Sequence, residues 1–280
     1  MYAYVDIQTL KGTSVLNVTG TLHDTRLRQL AEAASQEVDK FANRRIHPTV
    51  GTYYFSGRGG ETLLVPDLIS VVSLVEDDNG DGSFDTTWNA NDYYLAPYNS
   101  EPTSVEGRPY QWIEVSTKSN GTQDEFWRGQ RNYQIVGTWG YCAATVTIGL
   151  TVSSSLSATA TSFPLSGSAS GTIEAGMTML VGTEQIYVLS SSATAATVRR
   201  GQNGAVATVI ASGSAIAVYQ YPQPIIDAVV MHAGRLFKRG QAAYASQAGA
   251  PDGQFTVFSG GMDQDVRQMV AQYRKPALGV

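Results

Sequence analysis

The sequence contains few of the residues that metal centres and many active sites require. Its 280 residues include one cysteine, Cys142, and three histidines, His23, His47 and His232. A single cysteine excludes an intrachain disulfide and disfavours a zinc site built from thiolates. The histidines are far apart in the chain and form no H-E-x-x-H pattern. We therefore expect each of them to be a cap, loop or helix-face residue.

Charged residues are also scarce. Only 15% of the residues are charged, and the formal net charge is −5. Mild acidity disfavours a dedicated nucleic-acid binder. No apolar run approaches the ~20 residues that a membrane-spanning helix needs, and the first residues lack the basic and apolar regions of a secretion signal. We expect a soluble protein that is made in the cytoplasm and does not bind a membrane.

Motifs of catalysis are missing as well. The segment GRGGE at Gly57–Glu61 lacks the Lys-Ser/Thr ending of a phosphate-binding loop, and no G-x-S-x-G elbow exists. The carboxylates are scattered and suggest no glycosidase pair. We predict a protein without enzymatic activity and without a cofactor. A hydrolase with dispersed acidic residues is kept as an alternative.

The patterns that are present alternate between helix and strand. Apolar residues at steps of three and four predict amphipathic helices over residues 21–45, 222–246 and 262–275. Aromatic strands with period 2 fill residues 52–141 and contain all four tryptophans, which predicts an antiparallel meander. Residues 145–219 are rich in Ser, Thr, Ala and Gly and predict a small β-domain.

Together these patterns predict an α+β fold. Amphipathic helices at both ends would pack with the antiparallel β-meander, and an all-β domain would be inserted. The predicted core is discontinuous and comprises residues 1–144 and 220–280, with the inserted β-domain at 145–219. The C-terminal helix and tail form a separate segment at 262–280.

The segment EDDNGDGSFD, Glu76–Asp85, resembles the beginning of a calcium-binding loop. Such loops place oxygen ligands at alternating positions and end in a bidentate glutamate. Trp88 occupies the position of that glutamate, and the flanks read as strands. A polar hairpin is favoured, because Asn-Gly and Asp-Gly supply positive φ. A weak cation site is the alternative, and its candidate ligands are Asp77, Asn79, Asp81 and Asp85.

Four segments follow one another in a particular order. They are LRQLAEAASQEVDKFANRRIHP, LLVPDLISVVSLVEDDNGDGSFDTTWNANDYYLAPYN, YQIVGTWGY and PQPIIDAVVMHAGRLFKR. Their order and spacing resemble the head–tail connector proteins of long-tailed bacteriophages, also called adaptor or head-completion proteins. The resemblance covers about residues 1–144 and 220–280.

The middle segment is similar to small β-modules in other phage structural proteins. The matching residues are Gly182, Glu184, Ile186 and Val188 in a strand and Arg200, Gly201 and Gly204 in a turn. Ala205 and Ile210 depart from the Thr and His that are common in those modules. Connectors usually lack such an insertion, so the resemblance implies an elaborated member.

The resemblance implies a structural virion protein of the phage neck. Family members form a homo-oligomeric ring, commonly a dodecamer, between the portal protein and the next neck or tail-terminator protein, and DNA passes non-specifically through the channel. C-terminal segments of the family commonly grip the portal. The implied portal or subunit interface is therefore Met262, Val266, Met269, Val270, Tyr273, Arg274 and Lys275.

Two alternatives accompany this interpretation. The C-terminal helix would dock on its own domain instead of the portal, since a helix this short needs a surface on which to form. The whole chain would alternatively be a carbohydrate- or surface-binding module of a phage tail or adhesin, because aromatic-rich β-structure is common in such modules.

Overall fold

The computed structural model describes residues 1–12, 16–116, 121–167, 172–241, 247–249, 255–257 and 261–276. The chain divides into two compact units. One consists of Met1–Arg44 and Thr145–Val280, and the other of Arg45–Ala144. We call them the barrel unit and the sheet unit. None of the helices in the described part of the chain combines the length and the hydropathy needed to cross a membrane.

The sheet unit is built from six antiparallel strands. They are β1 (Thr49–Phe55), β2 (Thr62–Glu76), β3 (Thr86–Trp88), β4 (Tyr93–Ala96), β5 (Tyr110–Val115) and β6 (Tyr133–Trp139). The strand order is β1-β6-β2-β5-β4, and β3 pairs with the end of β2. The first part of β2 pairs with β5 and its second part with β6, with a register shift between Leu64 and Leu68. Pro66 lies in this shift, where its missing amide costs no ladder hydrogen bond.

The carboxylate of Glu76 is buried in the core of the sheet unit. Glu76 accepts hydrogen bonds from the Trp88 indole at 2.9 Å and from the Tyr133 hydroxyl at 2.6 Å. The Trp88 ring stacks on Phe126 at 4.6 Å, and Tyr133 meets Phe126 edge-on. Burial and the nearby carboxylate raise the pKa of Tyr133, so its hydroxyl stays protonated as a donor. The polar groups of Glu76, Trp88 and Tyr133 therefore have hydrogen-bond partners inside an aromatic core.

The barrel unit contains a closed barrel of six strands. They are β7 (Thr145–Val152), β8 (Ser162–Ser166), β9 (Thr178–Val181), β10 (Glu184–Ser191), β11 (Ala195–Arg199) and β12 (Ala215–Tyr219). The order around the barrel is β10-β11-β8-β7-β12-β9. Closure removes free strand edges. The interior is filled mainly by Ile, Val and Ala side chains, together with Leu156, Met179 and the ring of Phe163.

An ion pair inside this unit joins strand β10 to the turn that begins at Arg200. The guanidinium of Arg200 donates to both carboxylate oxygens of Glu184, at 2.7 and 2.6 Å. The side chain of Arg200 is 5% exposed and that of Glu184 is 0% exposed. The amides of Gly201 and Thr208 donate to the same carboxylate. Arg200 also donates to the carbonyl oxygens of Ser157 and Thr208. One carboxylate thus fixes the whole 200–208 turn.

The protonation of Glu184 follows from these contacts. Burial opposes the charged form, but the hydrogen bonds from Arg200, Thr208 and Gly201 outweigh burial and lower the pKa of the carboxyl. A carboxyl whose pKa is lowered on folding stabilises the fold above its unfolded pKa. That contribution is lost only as the pH falls through the lowered value.

The described residues form four helices, all in the barrel unit. They are α1 (Ile7–Gly12), α2 (Asp24–Ala42), α3 (Gln223–Gln241) and α4 (Gln264–Ala271). Helix α2 buries Leu27, Leu30, Ala31, Ala34 and Val38, as its sequence period predicts. Helix α3 follows Pro222, whose carbonyl accepts from the amides of Ile225 and Ile226. The chain also continues as two short strands, β13 (Gln247–Gly249) and β14 (Phe255–Val257).

The barrel and the first helices share several contacts. Tyr187 of β10 donates to Glu32 of α2 at 2.8 Å. The amide of Ile7 donates to the carbonyl oxygen of Ala175, and the Asn203 side chain donates to the carbonyl oxygen of Met1. The barrel is therefore attached to residues far away in sequence.

The prediction of an α+β fold with helices packed on a meander is wrong. The structure is mostly β, with one six-stranded sheet and one closed barrel, and its four helices have 6, 19, 19 and 8 residues. Strong helical periodicity dominated the prediction, whereas the short strands of residues 145–219 carry little periodic signal. The barrel strands begin at Thr145 and end at Tyr219. The predicted discontinuous core of residues 1–144 and 220–280 stays a prediction.

We expect Arg200→Met to destabilise the protein by about 3–5 kcal/mol, because it leaves the buried carboxylate of Glu184 without its counter-ion. Arg199→Met is the matched control. Arg199 is exposed, so its replacement is expected to change the free energy of unfolding by at most about 0.5 kcal/mol. Chemical denaturation measures both. Equal effects of the two substitutions would contradict the importance of the Glu184–Arg200 pair.

Candidate functional site

The predicted C-terminal interface lies on and beside α4. Helix α4 packs against α2 and α3 within the barrel unit. Val266 and Val270 are buried, and Met262, Met269 and Tyr273 are half-buried. The apolar stripe of α4 therefore covers part of its own chain. Its use as a portal or subunit interface stays a prediction.

The basic end of this segment is also held by α2. The amide of Lys275 donates to the carbonyl oxygen of Ala42 at 2.8 Å, and the Asn43 side chain donates to that of Lys275. The guanidinium of Arg274 lies 5.6 Å from the centre of the Phe41 ring, and Arg274 remains exposed. Residues 277–280 of the predicted C-terminal segment lie outside the described residues.

The aspartate-rich segment forms a stiff loop between β2 and β3, which we call the acidic hairpin (Asp77–Asp85). One carboxylate oxygen of Asp77 accepts from the amides of Gly80 and Asp81, and the other accepts from the amide of Gly82. Asn79 accepts from the amide of Asp81. These oxygens, which a calcium loop would direct at the ion, are directed at backbone amides.

Asp81 and Asp85 complete the hairpin. Asp81 accepts from the amide of Ser83 at 2.7 Å, and this bond lowers the pKa of Asp81. Asp85 is exposed. Within the described part of the chain, no group of three or more His, Cys, Asp or Glu side chains is placed to hold a metal ion. The geometry is that of a polar hairpin.

Sequence reasoning missed a surface of the sheet unit, which we call the arginine–tryptophan patch (Tyr54, Arg58, Trp127, Arg128 and Arg131). All five residues are exposed, Trp127 to 59%. The guanidinium of Arg131 lies 4.5 Å from the centre of the Tyr54 ring. A cavity of about 500 Å³ opens beside Tyr54 and Arg58 and reaches Leu64.

Two loops joined by hydrogen bonds present this patch. The amide of Gly59 donates to the carbonyl oxygen of Phe126, and the amide of Phe126 donates to that of Gly60. A Cβ at Gly57 would lie 1.8 Å from the carbonyl oxygen of Trp127, so the loops approach too closely for any other residue. The sequence signal for this close approach is Gly57. It lies in the GRGGE segment, which was considered only because it resembles the start of a phosphate-binding loop.

The residues that would be expected to carry catalysis have structural partners. His232 is buried between helices, with its Nε2 atom 2.6 Å from Glu37. The His23 ring meets Phe237 edge-on. His47 is buried, and burial raises the pKa of the buried Cys142 thiol, which makes it a poor nucleophile. These are packing contacts.

No known family model matches the sequence, and no curated protein shows significant similarity to it.

Calcium is expected to leave the melting temperature unchanged. A cation at ~100 times its dissociation constant would stabilise the protein by about 2.7 kcal/mol, but the oxygens of Asp77 are already used by amides. The measurement is a thermal melt after EDTA treatment, with and without added calcium. Asp77→Ala is expected to destabilise the hairpin equally in both conditions. A rise of several degrees with calcium that Asp77→Ala abolishes would establish a cation site.

Docking of α4 on its own chain predicts that Val270→Ala destabilises the protein by about 2 kcal/mol, since it removes buried apolar volume. Gln268→Ala, on the exposed side of the same helix, is the control and is expected to be neutral. Urea unfolding measures both. No loss of stability in Val270→Ala would show that α4 is not packed in the isolated protein.

Proposed function

We propose that this chain is a structural protein of the neck of a long-tailed bacteriophage. It assembles with itself as a ring between the portal protein and the next neck or tail-terminator protein, and DNA passes through the channel. It carries out no reaction and needs no cofactor. Its place in the virion is the portal vertex.

The observation that carries this proposal is the placement of the connector-like motifs. The segment LLVPDLISVVSLVE lies in β2, and the aspartate-rich segment joins β2 to β3. The last three residues of DYYL belong to β4, and YQIVGTWGY includes all of β6. The first matched segment forms α2 and the last one forms α3. The matched segments thus lie on a helix, on strands of the sheet unit with their connecting hairpin, and on a second helix.

The charge of the chain is compatible with a DNA channel. Binding to DNA gains its affinity largely from Lys and Arg that neutralise phosphates. This chain has fewer Lys and Arg residues than Asp and Glu residues, and its net charge is −5. DNA that slides through a ring of these chains is therefore held weakly. A tightly binding channel would oppose packaging and ejection.

A second candidate function is supported by the exposed aromatic residues. Trp127 and Tyr98 are 59% and 64% exposed, and exposed aromatic rings are a common means of binding sugars. On this alternative the chain is a carbohydrate- or surface-binding module of a phage tail. Glycan binding by a monomer would favour it over the connector.

We expect purified protein to form rings, alone or on purified portal rings. Native mass spectrometry and electron microscopy measure the copy number, and co-sedimentation with portal rings measures docking. Arg274→Glu and Lys275→Glu, which reverse the basic end of the C-terminal segment, are expected to weaken portal binding while the melting temperature stays within a few degrees. Arg26→Glu, at an exposed position of α2, is the control. A protein that stays monomeric with and without portal would contradict the proposed function.

A further inference from the structure

Two surfaces of opposite charge lie at the same end of the sheet unit. Phe55, the last residue of β1, and Glu76, the last residue of β2, both pair with Tyr133, the first residue of β6. The loop after β1, the loop before β6 and the acidic hairpin therefore leave the sheet together. The amide of Asp77 donates to the carbonyl oxygen of Asn132, which ties the hairpin to the patch loops.

The arginines of the patch have no carboxylate partner among the residues that the structure describes. In the described part of the structure no ion pair joins Arg58, Arg128 or Arg131 to a carboxylate. Arg131 is held on the Tyr54 ring, and the other two extend into solvent. The patch consequently offers three cations to a partner.

The patch has the composition and stiffness of a protein-binding site. Trp, Tyr and Arg are the residues that contribute most to binding energy in protein interfaces. The paired loops fix Trp127 and Arg128 in advance, so that little backbone entropy is lost on binding. The Asn132 side chain adds to this order, because it accepts from the amide of Gly57 and donates to the carbonyl oxygen of Trp127.

The acidic hairpin has complementary properties. It carries four aspartates in nine residues, and no Lys or Arg occurs between Arg58 and Arg108. Its backbone is held by the Asp77 side chain, while Asp78, Asp81 and Asp85 are exposed. It extends beyond the last β2–β3 pair, Glu76 with Thr86. A neighbouring molecule can therefore reach its carboxylates.

We propose that the arginine–tryptophan patch is a self-association site that binds the acidic hairpin of a second copy of this chain. The proposal rests on the proposed function in one respect, namely that the chain assembles with itself. Each copy carries one patch and one hairpin, so the contact repeats from copy to copy and closes into a ring when the rotation permits. A protein partner is favoured over nucleic acid, because a chain of net charge −5 is not typical of nucleic-acid binders.

Charge reversal tests the contact. Arg58→Glu combined with Arg128→Glu is expected to weaken self-association at least about tenfold, as is Asp85→Arg combined with Asp78→Arg. A chain that carries all four substitutions is expected to regain much of the lost association, because the attraction is restored with opposite sign. Sedimentation velocity over a range of protein concentrations measures the dissociation constant, and thermal melts verify that each variant is folded.

Two matched variants control for general effects of charge. Arg108→Glu and Glu106→Arg reverse exposed charges of the same unit outside the patch and the hairpin, and we expect neither to change self-association. Trp127→Ala is expected to weaken association without lowering the melting temperature. High salt is expected to weaken self-association, as the charge reversals do, because it screens the attraction between the patch and the hairpin.

The outcomes separate this inference from the proposed function. Wild-type rings that are insensitive to the reversals, or reversals that the fourfold variant does not rescue, would overturn the patch–hairpin contact and leave the ring intact. An equal effect of Arg108→Glu would also overturn it. A wild-type protein that is monomeric alone and on portal rings would overturn both. Binding of single-stranded DNA that Arg58→Glu with Arg128→Glu abolishes, without an effect on self-association, would assign the patch to nucleic acid instead.

Discussion

A buried carboxylate must be met by donors from several segments, and each compact unit contains such a group. Glu184 receives donors from Arg200, Gly201 and Thr208, so β10 and the 200–208 turn cannot separate without leaving a charge unpaired. Glu76 receives the indole of Trp88 and the hydroxyl of Tyr133, which joins three strands. Apolar packing alone would tolerate small shifts of these elements. The carboxylates tolerate them less well, because a hydrogen bond needs a donor–acceptor distance of about 2.7–3.2 Å and a nearly linear geometry.

The long amphipathic helices and the β-structure of residues 145–219 were predictable, but the closure of these strands into a barrel was not. The buried face of α2 follows directly from a period of 3.6 residues, and β6 alternates buried and half-buried residues as a period of 2 requires. The strands of the barrel are short and rich in Ser, Thr and Ala, so neither period stands out. Closure depends on pairs such as Ala217 with Leu180, which are distant in sequence and leave no local signal.

The candidate sites show the same division between local and distant information. The hairpin was recognisable from Asn-Gly and Asp-Gly, and Trp88 at the expected ligand position argued against calcium before the contacts of Asp77 were known. The arginine–tryptophan patch brings Tyr54 and Arg58 together with Arg131, and two segments that are distant in sequence supply them. No spacing of residues in the sequence predicts this patch. Only the pairing of β1 with β6 places these residues side by side.

The division of the chain has a consequence for its synthesis. The sheet unit is contiguous, so all of its strands are present once Ala144 has left the ribosome. The barrel unit is discontinuous, so α2 contacts α1 early but lacks its other helical neighbours, α3 and α4, until they have been made. Residues Met1–Arg44 therefore complete their packing only after more than half of the chain has been translated. The sheet unit can thus fold before α2 has its full set of neighbours.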